Sequence, residues 1–286
     1  MDKILDWITD EKIPIGKWAK IGVDWLIDHG GFFFDWLSAV LQVIIDALLW
    51  CLQAPHPLVI VAAAVILGWW LKRNFMFPFL VALSLLLIIN QGYWKETTET
   101  LSLVIAASIV CMVFGVPIGV AAAHRPRFSA FIRPILDLMQ TIPTFVYLIP
   151  ALILFGLGMV PGLIATVIFA IPAPIRLTEL GVKSTPTQLT EAGLAFGATP
   201  NQLLWKVELP WALPNIMAGL TQTIMLSLSM VVIAALVGAP GLGVPVLRAL
   251  NTVNIAKGFE AGAMIVIVAI LLDRFLRSDQ TRERGE

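Results

Sequence analysis

The chain has 286 residues, of which 58% are hydrophobic and only 13% are charged, about half of the charged share of an ordinary soluble domain. A soluble protein of this length cannot bury so much apolar surface, whereas a lipid bilayer accommodates it. The formal net charge is +0 and no basic tract is present, so the composition also excludes the basic proteins that bind nucleic acid. We expect a protein embedded in membrane lipid and built as an all-α bundle, because backbone inside lipid must satisfy its hydrogen bonds internally.

The first 56 residues are predicted to form a separate N-terminal segment. Residues 1–31 are polar, contain Trp7, Trp18 and Trp25, which are typical of a membrane interface, and lack the apolar core of a cleaved signal peptide. Four polar residues then share one stripe of a helix over residues 32–53: Asp35, Gln42, Asp46 and Gln53. Because aspartate is costly against lipid, we favour an amphipathic helix at the interface or against the bundle. The alternative is an eighth span with its stripe buried in protein.

Seven further stretches are apolar and long enough, or nearly long enough, to cross the bilayer as helices, which takes about 20 residues. They cover residues 57–71, 75–90, 97–123, 136–157, 160–177, 216–237 and 259–276. The first two are short and joined by Lys72 and Arg73, and are predicted to form an accessory hairpin in residues 57–93. The other five lie in residues 94–278, which we predict to be the functional core, and residues 279–286 follow as a cytoplasmic tail.

Basic residues indicate which side of the membrane each loop faces. They are concentrated in the hairpin turn, in the loop after the third span and at the C-terminal end: Lys72 and Arg73; Arg125, Arg127 and Arg133; Arg274, Arg277, Arg282 and Arg284. Because cytoplasmic loops are enriched in Lys and Arg, we predict that all three regions lie in the cytoplasm. The long loop 178–215 then lies there too. Seven spans place the N-terminus outside, and eight place it inside.

The sequence lacks the local motifs of several enzyme classes. No Gly-x-x-x-x-Gly-Lys-Ser/Thr loop, His-Glu-x-x-His or Gly-x-Ser-x-Gly is present, so we expect no ATPase site, no metal site and no catalytic residue in this chain. Cys51 and Cys111 lie in separate apolar stretches, which favours buried free thiols over a disulfide. The core spans also lack the series of buried acids that a proton-coupled transporter needs, which weakens the hypothesis that the chain is such a transporter.

The loop 178–215 is predicted to form two short helices that meet at a turn. Two N-cap and proline pairs begin these helices: Thr185 with Pro186, and Thr199 with Pro200. Gly197 suits the left-handed turn that ends the first helix, and Pro210 and Pro214 mark the return towards the membrane. The loop also carries an apolar surface that its own bundle or a partner must cover: Leu194, Phe196, Leu203, Leu204 and Val207.

The spacing in this loop resembles the EAA loop of ABC importer permeases, which reads Glu-Ala-Ala, three residues, Gly, nine residues and Ile-x-Leu-Pro. The matching positions are Glu191, Ala192, Gly193, Gly197, Val207, Leu209 and Pro210. Gly193 stands in place of alanine and Val207 in place of isoleucine, and both keep the small or apolar character of the motif. The resemblance implies that the first helix docks in a groove of a separate ATPase, with Glu191 contacting a cation or a helix N-terminus there.

The resemblance extends over residues 94–277, which are similar to the permease subunits of glycine betaine/choline ABC importers, with matching stretches at 138–150 and 225–236. Two other stretches, residues 12–16 and 90–99, are most similar to the choline branch. The family implies a type I importer permease with about seven spans plus the N-terminal amphipathic helix, located in a bacterial inner membrane. It also implies a quaternary ammonium cargo: choline, glycine betaine or proline betaine.

The same resemblance implies partners and a cargo path. Two copies of the chain would pair with two cytoplasmic ATPase subunits, which use ATP and Mg²⁺, and with a periplasmic substrate-binding protein, while this chain binds no cofactor. The path is expected along the fourth and sixth spans at the dimer interface: Gln140, Thr141, Pro143, Phe145, Tyr147, Ser227, Ser229 and Met230. The rings of Phe145 and Tyr147 suit cation–π contacts with a methylated ammonium; the alternative is that they only pack.

Two rival functions stay open at this point. One is an ion- or proton-coupled transporter of similar small osmolytes that works without an ATPase. The other is an assembly or scaffold protein without transport. Neighbouring genes for an ATPase and a binding protein would discriminate against both.

Overall fold

The computed structural model describes residues 14–73 and 75–276, and within these ranges the chain forms helices and no strand. The helices are α1 Ile15–Gln53, α2 Pro57–Lys72, α3 Met76–Asn90, α4 Trp94–His124, α5 Pro126–Thr141, α6 Thr144–Phe155, α7 Met159–Ala170, α8 Pro172–Lys183, α9 Thr187–Ala195, α10 Pro200–Leu203, a π-helical turn Leu204–Glu208, α11 Leu209–Ala235, α12 Gly243–Asn251 and α13 Ile255–Leu276. The predicted all-α bundle is confirmed. The predictions for residues 1–13 and 277–286, including Trp7, Arg277, Arg282 and Arg284, lie outside the described residues.

By length and composition, five helical stretches in the described part of the chain suffice to cross a membrane: Gly16–Gln53, Trp94–His124, Met159–Lys183, Pro200–Ala235 and Ile255–Leu276. The last four correspond to predicted spans. Met159–Lys183 consists of α7 and α8, and Pro200–Ala235 joins α10, the π-helical turn and α11 into one stretch. The core of the bundle therefore rests on helices whose apolar runs were recognisable in the sequence.

The predicted fourth span, residues 136–157, is two helices instead of one. α5 and α6 meet at an angle of 94°, with Ile142 and Pro143 between them. Proline has no N–H to donate and restricts the residue before it to extended backbone, and Ile142 accordingly has φ −66° and ψ 130°. The chain therefore bends sharply here, and the two helices form a sixth crossing only if both are counted as one broken span.

The hairpin α2–α3 is shorter than a full pair of spans. Its helices have 16 and 15 residues, so each is only about 23 Å long, against about 30 Å for the hydrocarbon core. Arg73 takes a left-handed conformation (φ 46°) at the turn. The hairpin packs onto the bundle, because Val61 and Val81 share an apolar cluster with Val268 of α13.

The N-terminal helix α1 is a single helix of 39 residues, about 58 Å long, which is enough to cross the bilayer and project beyond it. Leu41 and Ile45 are buried against apolar residues of α4 and α7, so the helix packs on the bundle. At its C-terminal end, Gln53 Nε2 donates a hydrogen bond to Thr98 Oγ1 (2.8 Å) near the start of α4. The packing agrees with the favoured interpretation of a helix against the bundle, and the length of α1 agrees with the alternative of an eighth span.

The polar stripe of α1 is not buried by the described chain. Gln42 and Asp46 are exposed, and Gln42 Nε2 donates a hydrogen bond to Asp46 Oδ1 (2.8 Å). The length of α1 is therefore sufficient for the alternative of an eighth span, but the polar stripe is not buried within this chain as that alternative requires. Cys51 and Cys111 are both free thiols, as predicted; Cys111 is buried, whereas Cys51 is exposed, so the predicted burial is wrong for Cys51.

Two glycines let α4 cross α8 at close range. A Cβ added to Gly115 would lie 2.8 Å from Pro174 Cγ, and one added to Gly119 would lie 2.6 Å from the carbonyl oxygen of Ile175. Contacts of this length exclude a side chain unless the backbone moves. The close crossing fixes α8, which leads into the cytoplasmic loop, against the first helix of the core.

We expect Gly119→Ala to lower the stability of the purified chain by about 1–3 kcal/mol, the usual cost of overpacking, because the obstructing atom is backbone. Thermal unfolding in detergent measures this. Gly22→Ala is the matched control, since nothing lies within 4 Å of a Cβ at that position of α1. An unchanged melting temperature for Gly119→Ala would contradict the close crossing of α4 and α8.

Candidate functional site

The predicted cytoplasmic loop forms a two-armed hairpin between α8 and α11. We name residues 186–208 the elbow: α9 is its first arm, and α10 with the π-helical turn is its second arm. The elbow lies at the end of the bundle where α4 finishes, because Glu208 Oε2 is 2.8 Å from His124 Nε2. Arg125 follows directly and belongs to the basic loop, so the positive-inside rule predicts that the elbow lies in the cytoplasm.

The start of the first arm differs from the prediction. α9 begins at Thr187, and Pro186 is its N-cap residue, with extended backbone and no side-chain cap. Thr185 was predicted to be the cap, which is wrong. Its N–H donates to Val182 O (3.2 Å), so the residue closes the end of α8, and its hydroxyl is buried without a hydrogen-bond partner among the described groups.

The turn of the elbow is formed as predicted. Gly197 has φ +77°, a left-handed conformation that glycine adopts without steric cost. The N–H of Gly197 donates to Leu194 O (2.9 Å) and that of Ala198 donates to Gly193 O (3.0 Å). These two bonds make a Schellman motif, which satisfies the last carbonyls of α9 and reverses the chain.

The second arm begins with a complete capping box. Thr199 Oγ1 accepts from Gln202 N (3.4 Å), and Thr199 N donates to Gln202 Oε1 (2.9 Å), so the predicted cap is confirmed. Pro210 and Pro214, predicted to mark the return towards the membrane, both lie in the N-terminal part of α11, which begins at Leu209. Pro210 follows the π-helical turn and lies in the first turn of α11, where proline is tolerated; Pro214 removes one hydrogen bond without ending the helix.

The two arms meet at Gly193. A Cβ added there would lie 2.8 Å from Leu203 Cδ1 and 3.9 Å from Val207 Cγ2. Leu203, Leu204 and Val207 are half-buried in the second arm. Position 193 thus faces the second arm, and glycine fits there without displacing the Leu203 side chain.

The outer surface of the elbow is apolar and uncovered by the described chain. Leu194 and Trp205 are exposed, and Phe196, beside the turn, is 93% exposed. Glu191 and Ala192 are exposed on the same arm. Apolar groups at the tip of a cytoplasmic hairpin are characteristic of a protein contact, since water is a poor environment for them.

Polar contacts between α5, α8 and α11 hold the elbow where it joins the bundle. Glu179 Oε1 accepts from Ser129 Oγ (2.6 Å), from Arg133 (3.3 Å) and from Lys183 Nζ (2.5 Å), which ties α8 to α5. Arg176 donates a hydrogen bond to Asp137 Oδ1 (2.6 Å) between the same helices. Trp211 Nε1 donates to Ser184 O (3.1 Å). The base of the elbow is thus held by side chains of three helices.

The predicted path residues fall into two groups. Thr141, Pro143, Phe145 and Ser229 are exposed and Gln140 is half-buried, whereas Tyr147, Ser227 and Met230 are buried. Tyr147 and Met230 share one cluster, so the two predicted segments do meet. The Tyr147 hydroxyl donates to carbonyls beside the bend, Met139 O and Ile142 O, and Ser227 Oγ donates to Thr223 O. These contacts favour packing for Tyr147 and Ser227, and leave Phe145 available to a ligand.

Sequence analysis did not find the polar contacts that hold the elbow. Glu208 stands at the x position of Ile-x-Leu-Pro, and its partner His124 is distant in sequence. Ser129 and Glu179 are likewise on separate helices. Their only signal in the sequence is a polar residue within or beside an apolar helix, which predicts a partner but not its identity.

Comparison with protein families decides the relationship of the chain. Residues 115–278, more than half of the chain, match the family described as "Binding-protein-dependent transport system inner membrane component". The chain belongs to this family. As a binding-protein-dependent transport component, it is the permease subunit of an ABC importer and a multi-pass protein of the inner membrane, as predicted. Such permeases lack an ATPase site of their own, and the importer class implies separate ATPase and substrate-binding partners.

Individual relatives of this permease are similar over nearly its whole length. It is 43% identical over 277 residues to the glycine betaine/carnitine transport permease protein of Listeria monocytogenes, covering 96% of this chain and 98% of that one. It is 41% identical over 285 residues to the glycine betaine/proline betaine transport system permease protein of Escherichia coli, covering 99% and 80%. Among solved structures, an inward-facing MetNI methionine ABC transporter matches with a TM-score of 0.58 and 26% identity, covering 67% of this chain and 95% of that one.

Proposed function

We propose that two copies of this permease form the translocation path of an importer for small quaternary ammonium compounds. Two cytoplasmic ATPase subunits, which bind ATP and Mg²⁺, and a periplasmic substrate-binding protein would complete the assembly. The similarity to permeases named for glycine betaine, carnitine and proline betaine supports this cargo class. The preference for choline rests on residues 12–16 and 90–99 alone, so glycine betaine is the first cargo to test.

The observation that carries the coupling proposal is the uncovered apolar tip of the elbow, with Phe196 at its centre. The motif residues around it fit a docking role: Glu191, Ala192, Gly193, Gly197, Val207, Leu209 and Pro210. The first arm presents Glu191 and Ala192 to solvent, while Gly193 and Gly197 hold the arms close and set the turn. An ATPase groove that covers Phe196 would bury a large apolar side chain, which stabilises a complex by about 1.5–3 kcal/mol.

The second arm would act as the lever. It continues into α11 without a break, so displacement of the elbow by an ATPase is passed to a membrane-crossing helix. Import then becomes a two-state equilibrium between inward- and outward-facing forms, which ATP biases by closing the ATPase dimer. Phe145 and Ser229, exposed on α6 and α11, are the path candidates that the geometry supports best.

Reconstituted vesicles test the proposal. The permease is combined with its ATPase and binding protein, and uptake of radiolabelled glycine betaine, choline, proline betaine and carnitine is compared with that of proline, which has no quaternary nitrogen. We expect ATP-dependent uptake of one or more of the quaternary compounds and none of proline. Uptake driven by an ion gradient in vesicles without ATPase would establish the secondary transporter instead, and no uptake under any condition would favour the scaffold.

A further inference from the structure

A close approach of two side chains joins the elbow to the first core helix. Glu208 is the last residue of the π-helical turn, and its side chain is only 10% exposed. Its Oε2 lies 2.8 Å from Nε2 of His124, the last residue of α4, whose side chain is 46% exposed. This oxygen is fully buried and makes no hydrogen bond to the described groups. The approach of His124 is therefore the one ion-pair contact of Glu208 in the described part of the chain.

The His124 ring has a second polar contact besides Glu208. Its Nδ1 lies 2.9 Å from Val120 O, a group that only accepts. The C-terminus of α4 favours a positive charge at this position, and such a charge would attract the Glu208 carboxylate. The ring is thus held between a carbonyl of its own helix and the carboxylate of the elbow.

The pair lies where the elbow becomes a membrane-crossing helix. Immediately beside it, Leu209 and Ala212 of α11 pack in one cluster with Val120 and Ala123 of α4. Apolar packing of this kind allows α11 to slide or tilt on α4, because it is not directional. The approach of His124 to Glu208 at the edge of the same surface holds one pair of atoms at 2.8 Å, so α11 cannot slide on α4 without separating them.

We propose that the His124–Glu208 pair is a positioning contact that transmits movement of the elbow to α4. This inference rests on the proposed function, in which an ATPase moves the elbow. With the pair intact, α4 follows the second arm as one body. Without the charge of Glu208, the ATPase still docks on the elbow and hydrolyses ATP. Part of the movement of α11 is then not passed on to α4.

The test measures cargo imported per ATP hydrolysed by the complete importer in vesicles. Glu208→Gln removes the charge, keeps the side-chain shape and leaves no buried carboxylate unpaired. We expect this variant to bind the ATPase as the wild type does and to import about tenfold less cargo per ATP, within the usual range of coupling between sites. His124→Lys keeps a cation within reach of Glu208 and is expected to retain most of the wild-type ratio.

His29→Gln is the matched control, since the His29 ring makes the same contact with the carbonyl four residues earlier, Trp25 O at 3.0 Å. It should leave the ratio unchanged. A wild-type ratio in Glu208→Gln overturns the proposal, as does an equal loss in His124→Lys, which would mean that the imidazole shape matters and its charge does not. The proposed function fails separately, if the wild-type complex imports without its ATPase.

Discussion

Phe196→Glu is expected to abolish ATP-driven uptake while leaving a folded permease. The side chain is 93% exposed, so the substitution removes almost no contact within the described chain. In the assembled importer it would replace a buried apolar ring by a carboxylate that must lose its water, and central aromatic residues of this kind contribute 2 kcal/mol or more to interfaces. With one elbow on each of the two proposed copies, ATPase association should fall by roughly 100-fold or more.

Two variants of the same arm control this experiment. Phe196→Leu keeps an apolar side chain and should retain most of the uptake. Gln188→Glu adds the same charge at an exposed position of α9 and should retain ATPase association. Thermal unfolding and co-purification with the ATPase are measured for all three. If Phe196→Glu co-purifies and imports like the wild type, the tip of the elbow is not the docking surface.

Glu179→Ala is expected to destabilise the permease by roughly 1–3 kcal/mol, the usual cost of leaving a buried polar group, here the Ser129 hydroxyl, without its partner. Its carboxylate is nearly inaccessible and accepts hydrogen bonds from Ser129, Arg133 and Lys183. Removing it leaves the buried Ser129 hydroxyl and two cations without their acceptor. The measurement is the melting temperature of the detergent-solubilised permease, together with the yield of monodisperse protein.

Asp137→Ala provides the comparison for Glu179→Ala. Asp137 pairs with Arg176 at 2.6 Å across the same two helices, α5 and α8, but its side chain is 65% exposed. Exposed ion pairs contribute about 0–1 kcal/mol, because water competes for both partners. Equal losses of stability in the two variants would show that burial of Glu179 does not determine the strength of the α5–α8 junction.

Much of the membrane topology was predictable because lipid imposes a simple rule on composition. The apolar runs of α4 and α13 were found within a few residues of their observed ends. Proline was harder to interpret. At Pro143 the helix breaks, and at Pro214 it continues. The difference depends on the backbone of the preceding residue and on neighbouring helices, neither of which a single sequence reveals.

Within the elbow, features that depend on adjacent residues were predictable from the sequence, and contacts with distant helices were not. Gly197 and Thr199 were placed correctly because their signals are local: a left-handed turn and a capping box each depend on a few adjacent residues. Thr185 also precedes a proline and was therefore predicted to cap the next helix. Its N–H instead donates to Val182 O at the end of α8. The partners of Glu208 and Glu179 come from distant helices, so only the packed bundle identifies them.

The 36-residue helix Pro200–Ala235 has a mechanical consequence. At about 54 Å it is longer than the bilayer core, so one rod links the cytosol to the far side of the membrane. If it pivots near its middle, a few ångströms of travel at one tip appear as opposite travel at the other. An antibody fragment or chemical crosslink that immobilises the end of this helix near Ala235 would then stop movement of the elbow as well. Such an inhibitor would act from outside the cell membrane and would not compete with ATP.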